Sequence, residues 1–388
     1  MPPRWRALAV LTFARLGLGF QFQSVAALSP FLSEKLGFDA AQIGLLIGIY
    51  LLPGALVALP GGLLGARFGD KRVSLAALGL MTVGGFGVAL AGDFATAFAA
   101  RAVSGAGAVV FNVMVTKMVA DWFAGREIVL AMSILMNAWP IGIGVALYTL
   151  ASLAVALSWQ LAMSASALVA LAGLAAVQLG YRPAAGAQAH AAGGLGLALL
   201  SRGELWRVAL SALPWTLYNG AYALLVAFLP QHLHATGMGV TAAASAVATV
   251  NFMFIATVIG GGYLVQRLGH ADAVSVLCLA VWAGTLALML GAPGGLLWLF
   301  AGGVIGGIPA GALVALPAEV LAPRNRAPGM GVFYTVFYLG GAFAPALGGY
   351  LLRDTGASAA PIWLAAGLAL ATIASLAAFR RAAPRARA

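Results

Sequence analysis

The chain has 388 residues, of which 62% are hydrophobic and only 8% are charged, and its mean hydropathy is +0.99. Soluble globular proteins are roughly one quarter charged, so this composition excludes a soluble globule. Since a membrane-spanning helix needs about 20 apolar residues, the chain has room for about a dozen spans joined by short loops. Its single cysteine, Cys278, excludes an intramolecular disulfide.

The formal net charge is +11, but the positions of the basic residues argue against a nucleic-acid partner. Most of the 21 Lys and Arg residues fall in the termini and in alternate loops that face one side of the predicted membrane. Lys35 and Arg353 fall in loops of the other side. This asymmetry is the positive-inside pattern. It predicts a multi-pass protein of the cell inner (plasma) membrane with both termini in the cytoplasm.

The N-terminal segment resembles a secretory signal peptide, because Arg4 and Arg6 precede an apolar run. However, Arg15 interrupts that run, which continues to about Leu32 without a convincing cleavage site. We therefore interpret it as the first membrane span.

Apolar runs recur along the whole chain and predict twelve spans. The predicted spans cover residues 8–32, 41–65, 73–92, 95–120, 128–152, 157–181, 205–231, 241–265, 273–292, 295–319, 329–352 and 360–379. The loops are short except for 182–204, which is rich in Ala and Gly. We expect this stretch to be a cytoplasmic linker between two six-helix halves, residues 1–181 and 205–388.

The loop after the second predicted span has a counterpart about half a chain length later, which indicates two similar halves. Gly61, Gly62, Leu64, Arg67 and Gly69 are matched in order by Gly261, Gly262, Leu264, Arg267 and Gly269. Small residues also repeat inside spans, as Gly44 and Gly48 in the second and Gly302 to Gly311 in the tenth. Such spacing allows close approach of helix backbones in lipid. Mid-span prolines, including Pro140 and Pro309, mark candidate bending points.

These features resemble the major facilitator superfamily over nearly the whole chain. The family's loop motif, Gly-x-Leu-Ala-Asp-Arg-x-Gly-Arg-Lys, is similar to Gly62-Leu-Leu64-Gly-Ala66-Arg67-Phe-Gly69-Asp70-Lys71, and its fourth-span motif is similar to Arg101, Gly105 and Gly107. Ser29-Pro30-Phe-Leu32 loosely resembles the cyanate-permease-like branch of small-anion carriers. The resemblance implies an all-α integral membrane fold of twelve transmembrane helices in two pseudo-symmetric six-helix halves.

The loop motif departs from the family at its acidic position, which is Ala66 here and Gln266 in the second copy. In the family that acid is taken to latch the halves together on the cytoplasmic side. We therefore expect closure to use other partners, Asp70 or Asp121 with Arg126 or Arg326. The predicted gating residues are Gly62, Arg67, Gly69, Asp70, Lys71, Asp121, Arg126, Arg267 and Arg326.

Two arginines, Arg15 and Arg101, lie well inside predicted spans, whereas all ten acids lie in loops or at span ends. An arginine at the centre of a membrane helix costs about 2.5–3.5 kcal/mol on insertion scales, and no buried acid offsets that cost here. Arg15 either extends to the cytoplasmic face or faces a water-filled cavity that receives an anion. Arg101 matches the family's fourth-span arginine, for which the resemblance implies coupling or substrate binding.

Amide and aromatic side chains occur mainly in the spans that line the cavity in the resembled family. Each of them alone fits a bond to a neighbouring helix as well as a contact with a ligand. Together with the arginines they predict an aromatic, cationic pocket near the midplane. The predicted substrate-binding residues are Arg15, Arg101, Asn112, Asn137, Trp139, Trp215, Tyr218, Asn219, Tyr222, Asn251, Tyr334 and Tyr338.

We expect a secondary active transporter that moves a small, anionic organic or inorganic solute by alternating access, through exchange or proton linkage. Efflux of hydrophobic drugs or metabolites is the alternative within transport, and a non-transporting membrane enzyme or sensor is the alternative outside it. His232 and His234 have metal-ligand spacing, but a solvated loop pair explains them better. We expect no catalytic residue, metal or cofactor, and a monomer in the lipid bilayer.

Overall fold

The computed structural model describes residues 2–56, 65, 67–123, 127–184, 200–321 and 326–383, and every regular element in these ranges is helical. The first half contains α1 (Pro3–Ala27), α2 (Ser29–Leu36), α3 (Ala40–Ile49), α4 (Asp70–Ala89), α5 (Phe94–Phe123), α6 (Ile128–Ala156) and α7 (Trp159–Gly180). The second half contains α8 (Arg202–Ala235), α9 (Val240–Leu268), α10 (Ala271–Gly291), α11 (Gly295–Gly306), α12 (Ala310–Val320), α13 (Arg326–Thr355) and α14 (Ala360–Ala382).

Polar residues set several helix starts between the apolar runs. Asp39 accepts a hydrogen bond from the backbone N–H of Gln42, whose side chain accepts from the Asp39 N–H in return. Ser201 and Glu204 make the same reciprocal pair at the start of α8. These capping boxes satisfy backbone donors that the helix itself leaves unpaired. They fix where α3 and α8 begin.

The predicted twelve-helix membrane fold is confirmed. Within the described residues, eleven helices are long and apolar enough to cross a membrane. A shorter apolar segment, Ala40–Leu56, which begins with α3, lies where the second span is predicted. The predicted first span is divided at Leu28 into α1 and α2, and the tenth is divided into α11 and α12 at Pro309. Pro309, one of the candidate bending points, therefore lies where the helix of this span is interrupted. Pro140 lies inside the continuous helix α6.

Successive spans alternate in direction, so α1 begins and α14 ends on one side of the molecule, which we call the terminal face. Ion pairs mark this face: Arg4 at the start of α1 pairs with Glu127 at 3.0 Å, and Arg380 near the end of α14 pairs with Asp272 at 2.8 Å. The opposite side, the distal face, carries the pair between Arg353 and Asp39 at 3.9 Å.

The two halves meet at the distal face. There α3 packs on α13 so closely that a Cβ at Gly48 would lie 2.2 Å from the Ala342 carbonyl oxygen. The amide of Gln23 donates to the Val226 carbonyl between α1 and α8 at 2.6 Å. In the described residues, all hydrogen bonds and ion pairs that join the halves lie in the distal part or the middle of the molecule. The distal side is therefore closed.

On the terminal side, the ion pairs among described residues stay within one half. Lys117 pairs with Asp70 and Asp121 inside the first half. Arg380 pairs with Asp272 and Glu319 inside the second half. The contacts between the halves given above lie at the distal face and in the middle of the molecule.

Candidate functional site

Arg15 lies near the middle of α1 and is only 6% exposed. Its Nε donates to the side-chain oxygen of Asn112 at 3.0 Å, and one terminal nitrogen donates to the Leu135 carbonyl. Arg15 does not reach the terminal face, so the predicted alternative of an extended surface arginine is wrong for this conformation. Its charge is held inside the membrane region.

Asn112 connects this arginine to the other half of the molecule. Its side-chain N–H donates to the hydroxyl of Tyr338 at 3.1 Å, while its oxygen accepts from Arg15. A chain of hydrogen bonds thus runs from α1 through α5 to α13. Tyr334 lies one turn before Tyr338, and the centroids of their two rings are 6.3 Å apart. Four of the predicted substrate-binding residues therefore meet at one place.

A small, partly open pocket lies beside this chain, between the halves. The pocket is formed by three aromatic rings, four aliphatic side chains and one amide. These residues are Leu18, Tyr50, Leu51, Ala108, Val109, Asn112, Trp139 and Tyr338. The aliphatic members were not predicted, because nothing in an apolar run distinguishes a residue that faces a cavity from one that faces lipid.

Arg101 is 1% exposed and, like Arg15, is not among the residues that line this pocket. Its guanidinium donates to the backbone carbonyls of Leu46 at 3.2 Å, Gln21 at 2.7 Å and Phe22 at 2.6 Å. It also lies over the Tyr50 ring, 4.4 Å from the ring centroid. Its nitrogens are engaged with α1 and α3, so in this conformation it positions those helices.

A second polar group crosses between the halves at α6, α8 and α9. The Tyr222 hydroxyl donates to the side-chain oxygen of Asn251 at 2.5 Å. The side-chain N–H of Asn251 donates in turn to the Pro140 carbonyl at 2.8 Å. The Pro140 carbonyl oxygen has two lone pairs, so it can accept a hydrogen bond from another helix. This group ties α6 to the second half.

The remaining predicted site residues bond mainly within their own half. The Tyr218 hydroxyl donates to the Gly306 carbonyl at 2.8 Å, and its ring stacks on Trp215 with centroids 5.9 Å apart. Asn137 and Asn219 donate to carbonyls one turn earlier in their own helices. Their role in substrate binding stays a prediction.

At the terminal face, Asp70 and Asp121 share Lys117 as their partner. Lys71 donates to the carbonyl of Tyr181 at 2.9 Å. Burial raises the pKa of Tyr181, and the nearby Asp121 and Asp70 carboxylates raise it further, so its phenol stays neutral.

The other predicted gating residues are only partly described. Gly69 has a φ of +88° at the start of α4, a conformation that favours glycine, and the Arg67 guanidinium lies 5.2 Å from the Phe68 ring centroid. Arg267 lies in the last turn of α9. Gly62, Ala66 and Arg126, as well as the side chains of Gln266 and Arg326, lie outside the described residues. The proposed latch therefore stays a prediction.

A family model described as Major Facilitator Superfamily matches residues 11–317. The chain belongs to the Major Facilitator Superfamily. The hexuronate transporter of Bacillus subtilis (strain 168) is 26% identical over 156 residues, which make up 39% of this chain and 37% of that relative. The alignment thus spans well under half of the relative's length.

Solved structures of transporters have the same fold. The inward open conformation of the xylose transporter XylE from E. coli has a TM-score of 0.78 at 13% identity and covers 99% of this chain and 97% of its own. The nucleoside transporter NupG has a TM-score of 0.76 at 16% identity, covering 98% of this chain and 99% of its own. Such identities show the fold alone. The family match and the shared fold together identify the protein as a multi-pass membrane transporter for a small molecule and not an enzyme.

Proposed function

We propose that this transporter moves a small anion and that Arg15 supplies the positive charge that binds it. The observation that carries the proposal is an arginine buried between the halves with no acid beside it. All ten acidic residues lie at helix ends or between helices. A buried cation without an ion-pair partner is costly, and an arriving carboxylate or similar anion offsets that cost.

The site's position supports transport by alternating access. The Arg15, Asn112 and Tyr338 chain links the halves near their middle, where a rocking motion of one half against the other exposes it to either side. We take residues 1–181 and 205–388 as the two moving halves, with 182–204 as their link. The positive-inside pattern makes the terminal face cytoplasmic, so the closed distal side faces outward.

Coupling by exchange, or by a proton carried with the substrate, fits the chain better than a buried carboxylate relay. No acidic side chain lies deep within a described span. The hexuronate transporter shares sequence with part of this chain, and hexuronates are carboxylates, which also favours an anion. Efflux of neutral apolar compounds remains the second candidate, because aromatic rings line the pocket.

Uptake into proteoliposomes tests the proposal. Purified protein is reconstituted and assayed with a panel of labelled organic and inorganic anions beside matched neutral compounds. We expect uptake of at least one anion, its loss in Arg15→Gln, and no change in Arg202→Gln, which removes an exposed arginine at the start of α8. Transport of neutral compounds only, or full anion uptake by Arg15→Gln, would contradict the proposal.

A further inference from the structure

We infer that the transported anion is a monocarboxylate on a flat, apolar body, of the benzoate type, and not a polyhydroxylated acid. This inference rests on the proposed function and names its substrate class. It follows from the pocket beside Arg15, whose surface is hydrocarbon except for one amide and the polar edges of its aromatic rings.

The walls of the pocket suit a planar ring. Tyr50 presents its ring and not its hydroxyl, because that hydroxyl is directed to the Leu18 carbonyl at 3.2 Å and the Gln21 side-chain oxygen at 3.4 Å. Phe22 packs behind both Tyr50 and Trp139, with centroids 5.9 Å and 5.3 Å away. The rings of Tyr50 and Trp139 are therefore held in place by packing. Rigid aromatic surfaces stack well on a flat ligand.

The polar groups left over at this site are hydrogen-bond donors. Asn112 uses its oxygen to accept from Arg15 and its N–H to donate to Tyr338. Among the described residues, the Tyr338 hydroxyl hydrogen, the Trp139 indole N–H and the second terminal nitrogen of Arg15 have no acceptor. The site thus offers several donors, and its one amide oxygen is already engaged.

A carboxylate matches this set, since it is purely an acceptor and its charge complements Arg15. A sugar acid does not match it, because each ring hydroxyl brings a donor that needs an acceptor once it is buried. The ligand is therefore an acid with an apolar body.

Four labelled compounds separate the features of the substrate in proteoliposome uptake. Benzoate carries the flat ring and the carboxylate, cyclohexanecarboxylate loses the flat ring, benzamide loses the charge, and glucuronate replaces the apolar body with hydroxyls. We expect benzoate uptake to exceed glucuronate uptake at least tenfold, cyclohexanecarboxylate to be intermediate, and benzamide to remain at background. Glucuronate uptake without benzoate uptake overturns this inference but leaves an anion transporter. Uptake of benzamide alone overturns both proposals.

Two variants tie the result to this pocket. Tyr338→Phe removes one donor and should lower benzoate uptake about tenfold, as expected for one hydrogen bond to a charged group. Its control, Tyr350→Phe, removes a hydroxyl from the same helix where the tyrosine is exposed, and should leave uptake unchanged.

Trp139→Leu should reduce the preference for benzoate over cyclohexanecarboxylate. Thermal unfolding confirms that each variant is folded, and an unchanged preference in a folded Trp139→Leu overturns the assignment.

Discussion

Arg15 and Arg101 both lie inside apolar spans of the sequence, but the structure gives them different hydrogen-bond partners. Arg15 bonds an amide that lines the pocket, whereas Arg101 bonds three carbonyls of neighbouring helices. Carbonyls can hold a buried guanidinium because they satisfy its donors, although they do not neutralise its charge. We therefore expect Arg15 to bind a ligand and Arg101 to stabilise helix packing.

Arg101→Gln should therefore destabilise the protein without changing its choice of substrate. Glutamine is shorter and cannot donate to all three carbonyls, so we expect a loss of at least about 2 kcal/mol in the free energy of unfolding. Thermal unfolding in detergent measures the loss, and uptake by the folded fraction measures specificity. A variant with unchanged stability and altered specificity would show that Arg101 contacts the substrate.

Asn112→Asp should block anion transport while keeping the protein folded. Aspartate has nearly the same shape as asparagine, and its carboxylate would pair with the Arg15 guanidinium, now 3.0 Å from the Asn112 side-chain oxygen. The charge that attracts the substrate would then be neutralised from within. We expect anion uptake to fall at least tenfold with a melting temperature that does not fall. Gln160→Glu adds the same charge at an exposed position of α7 and serves as the control.

The sequence allowed the prediction of which residue types form the site but not of which partners they choose. Arg15, Asn112, Trp139 and Tyr338 were predicted because they are charged, amide or aromatic residues in the spans that line the cavity in the resembled family. The partners of Arg101 were not predicted, because a backbone carbonyl has no signal in the sequence. For the same reason, the hydrogen bonds between the halves from Gln23 to Val226 and from Asn251 to Pro140 were not predicted.

At the scale of helices, hydropathy predicted the spans well because lipid requires every backbone group to be bonded inside a helix. The glycine spacing of the tenth span was also informative. A Cβ at Gly302 would lie 2.8 Å from the Thr285 hydroxyl, and one at Gly307 would lie 2.5 Å from the Phe254 carbonyl oxygen. The predicted close approach of α11 to its neighbours is confirmed. Which neighbour each glycine faces required the three-dimensional packing.

The contact between α3 and α13 gives a prediction at this scale. Because Gly48 has no side chain, the backbone of α3 can pack directly against the Ala342 carbonyl of α13. Gly44 allows the same close contact with the Pro345 carbonyl. Gly48→Leu should prevent closure of the distal side and so stop transport while the protein still folds. The assay is disulfide cross-linking of Asp39→Cys with Arg353→Cys, which lie across that contact, in a Cys278→Ala background.

The control for this substitution is Gly367→Leu, since a Cβ at Gly367 meets nothing within 4 Å. Cross-linking should be lost in Gly48→Leu and retained in Gly367→Leu. If Gly48→Leu cross-links as well as the control and still transports, the α3 and α13 contact does not govern closure of the distal side.

At the scale of the whole molecule, charge sets orientation in the membrane. The terminal face carries Arg202 and most of the other basic residues, whereas Lys35 and Arg353 lie at the distal face. Basic residues near span ends are retained in the cytoplasm. In a Cys278→Ala background, an impermeant maleimide should label Arg353→Cys in intact cells and label Arg202→Cys only after permeabilisation. The reverse pattern would invert the orientation, so that the closed distal side would face the cytoplasm and this conformation would be outward-facing.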